Sequence, residues 1–257
     1  MKKLMIAGIA GLCAAVTFGI ESANVVGYNN TAIAGGKLSC ISLQFADVGT
    51  DGDLASIGKL TSTGLTAGKY DTMNTEAPCI MVYNGLGYDY YYYISDAYDA
   101  NGDEVTAWAN GNGDAIDVAE KIGTGFWLNV PAATCTTGSL TQSGEVSDAA
   151  TFTINIAAGL TLAGNPYPSA IDMSKVTTSG ITAGKYDTMN TEAPCIMVYN
   201  GLGYDYYYYI SDAYDANGDE VTAWANGNGD AITGVIAQPG EAFWASSPTA
   251  GTLTFSL

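Results

Sequence analysis

The chain has no histidine, and all eight of its basic residues are lysine. Without histidine there is no Ser-His or Cys-His pair to activate a nucleophile, and no imidazole ligand for a metal. Basic residues are scarce too, since eight lysines face 26 acidic residues for a formal net charge of −18. Such a surface repels phosphate backbones and anionic lipid, so nucleic acid and membrane surfaces are excluded as partners. The acidic residues are scattered through turns and strands rather than run together, which argues against a disordered acidic tail. Beyond the first 19 residues no apolar run is long enough to span a bilayer, so the mature form has no membrane span. Amphipathic helical periodicity is also missing; only 114–121 and 171–176 offer a helical turn or two.

What the chain has in quantity is tyrosine, glycine and repetition. Residues Thr66–Ile116 recur letter for letter as Thr182–Ile232, at an offset of 116 residues. That period is far longer than a solenoid unit and matches a small domain. Weaker correspondences flank the block: Gly125-Phe126-Trp127 with Ala242-Phe243-Trp244, and Gly138-Ser139-Leu140-Thr141 with Gly251-Thr252-Leu253-Thr254. The chain therefore divides into residues 1–19, an export signal with Lys2 and Lys3 ahead of an apolar stretch, then module 1 (20–146) and module 2 (147–257). With 47% apolar residues and 18 tyrosines, each module can bury a core. The export signal places the protein outside the cytoplasm, secreted or at the cell surface.

Turn chemistry punctuates both modules. Cys79–Tyr83 and Tyr88–Ile94 read as strands joined by Asn84-Gly85-Leu86-Gly87, and Asn-Gly between apolar runs is a strong hairpin signal. Further turns fall at Asn101-Gly102 and at Asn110 to Gly113. Many short strands with Gly-rich turns predict an all-β fold of two tandem antiparallel β-sandwich, jelly-roll-like modules. The short linker predicts contact between the modules.

Gly164-Asn165-Pro166-Tyr167-Pro168-Ser169-Ala170, together with Tyr83-Asn84-Gly85-Leu86-Gly87-Tyr88 and a later Phe-Trp strand, resembles exported surface proteins of Verrucomicrobia- and Bacteroidetes-type bacteria, whose roles are poorly characterised. The resemblance covers most of both modules and implies a surface-exposed β module. Module 1 departs from it, with Leu43-Gln44-Phe45 where module 2 has Asn165-Pro166-Tyr167.

Four features could carry function. In the strand Tyr88–Ile94, alternation sets Tyr88, Tyr90, Tyr92 and Ile94 on one face and Asp89, Tyr91, Tyr93 and Ser95 on the other. Taking the first face as core leaves Tyr91 and Tyr93, with Tyr207 and Tyr209 in the second copy, as a binding surface. Tyrosine offers stiff contact area with a polar tip, suited to sugar rings or to another protein; it is also simply a good strand former. Asp99, Asn101 and Asp103, repeated as Asp215, Asn217 and Asp219, are oxygen ligands of the kind Ca²⁺ takes, and equally the residues a hairpin turn demands. The spacing is not that of an EF-hand. Export permits a disulfide, and Cys40 to Cys135 would staple an early strand of module 1 to a late one; the alternative is four buried, reduced thiols. Paired carboxylates stand out nowhere by spacing, so the chain reads as non-enzymatic. The expected function is a structural or adhesive surface or matrix protein, assembling as a homo-oligomer or filament through β edges, with polysaccharide binding by the Tyr strands as the alternative.

Overall fold

A computed structural model describes residues 26–48, 54–147 and 150–256; the export signal expected at residues 1–19 lies outside them. Module 1 carries strands β1 (Val26–Ile33), β2 (Lys37–Ser42), β3 (Leu54–Ser56), β4 (Thr61–Thr63), β5 (Cys79–Tyr83), β6 (Tyr88–Tyr98), β7 (Glu104–Ala109), β8 (Ala119–Lys121), β9 (Gly125–Val130) and β10 (Gly138–Glu145). Module 2 repeats the series as β11 (Thr151–Ile156), β12 (Gly159–Gly164), β13 (Ile171–Asp172), β14 (Thr177–Ser179), β15 (Cys195–Tyr199), β16 (Tyr204–Tyr214), β17 (Glu220–Ala225), β18 (Val235–Ala237), β19 (Ala242–Ser247) and β20 (Gly251–Ser256). The fold is all-β, with two antiparallel sandwiches in tandem.

Each sandwich sets a five-stranded sheet against a three-stranded one. The orders are β2-β9-β5-β6-β7 with β1-β10-β4, and β12-β19-β15-β16-β17 with β11-β20-β14. Between them Ile33, Leu140, Ile80, Val82, Phe126, Leu128 and Trp108 form the core of module 1. Ile156, Leu253, Phe255, Ile196, Phe243 and Trp224 form that of module 2. Alternation explains the selection, since every second residue of a strand faces the opposite sheet. The hairpin turns follow the local chemistry: Gly85 and Gly102 adopt φ of 93° and 82°, a region that glycine enters without steric cost.

Helical structure falls elsewhere than at 114–121, where Ala119–Lys121 forms β8. It lies at Tyr70–Thr72 and α1 (Met73–Glu76), repeated as Tyr186–Thr188 and α2 (Met189–Glu192), with further 3₁₀ turns at Ile57–Lys59 and Met173–Lys175. Pro78 follows α1 and cannot continue a helix. This turn packs Met73 and Ala77 onto Ile94, Ala97 and Ala109, on the outer face of β6 and β7. A bulge between Ile94 and Ala97 lets residues of opposite parity share that small cluster.

In β9 Phe126, Trp127 and Leu128 are all buried, so the strand is covered on both faces. The second cover is module 2. Trp127, Leu162 and Trp244 form a cluster between the modules, flanked by Met81, Tyr83 and Tyr88 and by Met197, Tyr199 and Tyr204. The arrangement has pseudo-twofold symmetry. Tyr83 meets Trp244 edge to face at 5.0 Å, and Tyr199 meets Trp127 at 5.2 Å. Ser42 N–H donates to Gly240 O at 2.8 Å, and Gly164 N–H donates to Gly123 O at 2.9 Å. The five-stranded sheets thus join through their outer faces.

Candidate functional site

The repeated strand presents the tyrosine face opposite to the one expected. Tyr91 and Tyr93 pack against the core of module 1, and Tyr207 and Tyr209 against that of module 2. Tyr93 lies 5.2 Å from Trp108, and Tyr209 lies 5.3 Å from Trp224. The cause is where the three-stranded sheet sits: it covers the face shared with Ile80 and Val82, whose cross-strand partners are Tyr91 and Asp89. Tyr88, Tyr90 and Tyr92 therefore point away from the core.

These outer rings form a continuous row. Tyr83 and Tyr88 have centroids 5.6 Å apart, Tyr88 and Tyr90 6.4 Å, and Tyr90 and Tyr92 6.5 Å with planes 13° apart. Module 2 repeats the row from Tyr199 to Tyr208, ending in a pair at 6.2 Å and 11°. Tyr88 and Tyr204 lie at the seam, packed against the cluster of Trp127, Leu162 and Trp244. Burial, with Tyr204 nearby, raises the Tyr88 phenol. At the other end the Tyr92 hydroxyl donates to Asn74 Oδ1 at 2.8 Å, and Tyr208 repeats this with Asn190. Tyr90 and Tyr206 remain in the window between seam and helical turn, 47% and 46% exposed. Strand parity in the sequence groups these rings correctly, but nothing local says which group faces out.

The Asp99 loop uses its oxygens on itself. Asp99 Oδ1 accepts the N–H groups of Asn101 and Asp103, both at 2.9 Å, and Asn101 Nδ2 donates to Asp99 Oδ2 at 3.2 Å. Asp215 does the same with Asn217 and Asp219. These bonds, that from the Asp103 backbone first, hold the Asp99 carboxyl below its usual range. Among the described residues no group of three or more His, Cys, Asp or Glu converges on a common point.

The cysteine pairing expected from strand order is corrected. Cys40, Cys79, Cys135 and Cys195 are all free thiols. Cys40 faces the seam, whereas Cys135 sits in the core of module 1, so the two lie on opposite sides of the five-stranded sheet. Burial raises the Cys40 thiol, helped by Glu241, and pushes Cys79 and Cys195 up to about 12. Thiols so held stay protonated and are poor nucleophiles.

Two grooves flank the seam at equivalent places and differ in character. One, of about 350 Å³, is lined by Asn29, Thr31, Ser39, Cys40, Tyr199 and Glu241 among others. The other, of about 200 Å³, has Ile122, Phe152, Ile154, Thr161 and Leu162 in its wall. Asn165, from the sequence motif noted above, is fully buried beside them. Its side chain accepts from Tyr167 N–H at 2.8 Å and donates to Ser169 O at 2.6 Å, so the motif is a loop-closing device. Comparison with protein-family models, curated proteins and solved structures finds no match for this chain.

Proposed function

We propose that the protein is exported and acts at the cell surface or in an extracellular matrix as a non-catalytic structural or adhesive element. The observation that supports this reading is duplication of one exposed tyrosine, Tyr90 in module 1 and Tyr206 in module 2, each stacked on a more buried neighbour, Tyr92 or Tyr208, on two modules joined face to face. Two identical contact sites on one particle engage a repetitive target with avidity far above that of either alone. Tyrosine is suited to the task, giving area at low entropic cost with a hydroxyl at the tip. Self-assembly has its own support in the sheet edges. β1 and β11 are edge strands, and β1 bears exposed Val26 and Tyr28. Unpaired edge groups invite a neighbouring strand, and the acidic surface makes such association stronger in salt.

A second reading, polysaccharide binding, is favoured by the exposed rings of Tyr90 and Tyr206, because flat hydroxyl-tipped rings suit the apolar faces of sugars. One experiment addresses both. Retention of the intact chain on insoluble polysaccharides and on extracellular matrix preparations is compared with that of Tyr90→Ser, Tyr206→Ser and the double variant. Each single variant should lose about 10²-fold or more in apparent affinity, since bivalency is gone. Equal retention of the double variant would contradict a role for these rings. Light scattering across a salt series tests the edge contact.

A further inference from the structure

Residues on a twofold axis meet their own counterparts, and the seam has two such pairs. Ser42 and Gly164 end the equivalent strands β2 and β12; Gly125 and Ala242 begin β9 and β19 and are their ladder partners. Across the seam, a Cβ placed on Gly164 would overlap the Ser42 side chain, and a Cβ placed on Gly125 would lie 2.9 Å from that of Ala242. Both on-axis contacts therefore set a glycine against a side chain. The side-chain hydrogen bonds across the seam run one way as well. Ser42 Oγ donates to Asn165 O at 3.1 Å, and Gln44 Nε2 donates to Tyr167 O at 2.5 Å. The module 2 counterparts of these donors are Gly164 and Pro166, which have no side-chain donor.

We infer that the seam is a docking surface for unlike halves: the face of module 1 accepts module 2, from its own chain or from a second copy, and rejects a module of its own kind. A pairing of two first modules would set Ser42 against Ser42, where a second side chain has no room. A pairing of two second modules would set Ala242 against Ala242 and lose both donated hydrogen bonds. The aromatic part of the face does not discriminate, since Met81, Tyr83 and Tyr88 equal Met197, Tyr199 and Tyr204. Selection comes from the glycine pairs and the two loops, as specificity built by exclusion. The intermolecular partner that fits is thus a second copy exchanging modules, each first module on the other chain's second, which closes a dimer. Tethering favours the closed single chain at low concentration.

Two full-length variants test this. Met81→Glu with Tyr83→Glu places carboxylates in module 1's half of the seam, on the face of β5 opposite its core residues Ile80 and Val82; Met197→Glu with Tyr199→Glu does the same for module 2. In sedimentation velocity each variant alone should match the parent's mass, while an equimolar mixture should form a 1:1 complex of twice that mass through the two intact faces. Dimerisation of either variant alone to the extent of the mixture would overturn the exclusion of like modules. Absence of a complex in the mixture, with both variants folded by near-ultraviolet circular dichroism, would overturn the docking role. Should a variant fail to fold, the unmodified chain decides: unfolded and refolded at rising concentration, it should yield a growing fraction of exchanged dimer. No dimer at any refolding concentration would overturn the inference.

Discussion

The two modules agree in the tyrosine rings they display and differ at a few positions where they touch each other. The ring pair Tyr90–Tyr92 repeats as Tyr206–Tyr208 within 2° of interplanar angle, and the contact of Tyr93 with Trp108 repeats as that of Tyr209 with Trp224. At the seam the equivalents diverge: Ser42 against Gly164, Gly125 against Ala242, Gln44 against Pro166, Cys40 against Leu162. One buried contact differs inside the cores as well. Trp108 Nε1 donates to Leu60 O at 3.0 Å, whereas the buried Trp224 Nε1 has no partner among the described residues. The displayed tyrosines are the same in both modules, while these seam positions carry unlike residues.

The comparison is broken most severely in the cores. Phe126→Ala and Phe243→Ala remove fully buried rings at equivalent positions, and each should cost about 3–5 kcal/mol in urea unfolding. Unequal losses would show that the sandwiches are not equivalently packed. Next comes alkaline pH. Cys79 and Cys195 titrate in the folded protein at about 12 against an ordinary value of 9.0. The folded state therefore holds these protons more tightly, and the stability they contribute is complete below pH 9 and lost as pH rises from 9 towards 12. The raised phenols of Tyr91, Tyr92, Tyr207 and Tyr208 act in the same direction. The urea midpoint should fall across that window, and a flat profile would contradict the burial of these groups.

A smaller effect separates the tryptophans. Trp108→Phe gives up a hydrogen bond, and Trp224→Phe removes an unpartnered donor, so the first should destabilise more than the second by about 1 kcal/mol or more. Identical midpoints would mean that Trp224 finds a partner in solution. The smallest response is expected from the acidic loops. With Asp99 and Asp215 engaged by their own turns, melting curves in calcium and in chelator should superpose. A rise in melting temperature with calcium would mark a stabilising site.

Local chemistry made much of this fold readable in the sequence. Asn84-Gly85 announces its hairpin, and β5 runs over the five residues expected, because turn geometry depends on the residues that make it. Parity is also local, so the tyrosines of β6 divide into two correct sets. Which set faces inward is not local: it depends on a three-stranded sheet whose β1 and β10 come from the two ends of the module. Strand order suggests pairing Cys40 with Cys135, but their opposite faces follow from Cys40 alternating with the inward Ile41. Contact between the modules follows from the short linker, but its complementarity does not, because Gly125 and Ala242 look alike until each is seen against the other. The helical turn at Tyr70–Glu76 is too short to carry helical periodicity.

The complementarity of the seam is tested most directly by exchanging one on-axis pair. Gly164→Ser alone puts a second side chain where Ser42 already lies, and overpacking of this kind costs about 1–3 kcal/mol. Ser42→Gly combined with Gly164→Ser restores one serine facing one glycine, with the bump moved to the other module. A double-mutant cycle measured by urea unfolding should return the double variant to within about 0.5 kcal/mol of the parent. A double variant whose loss is the simple sum of the single losses would contradict the account.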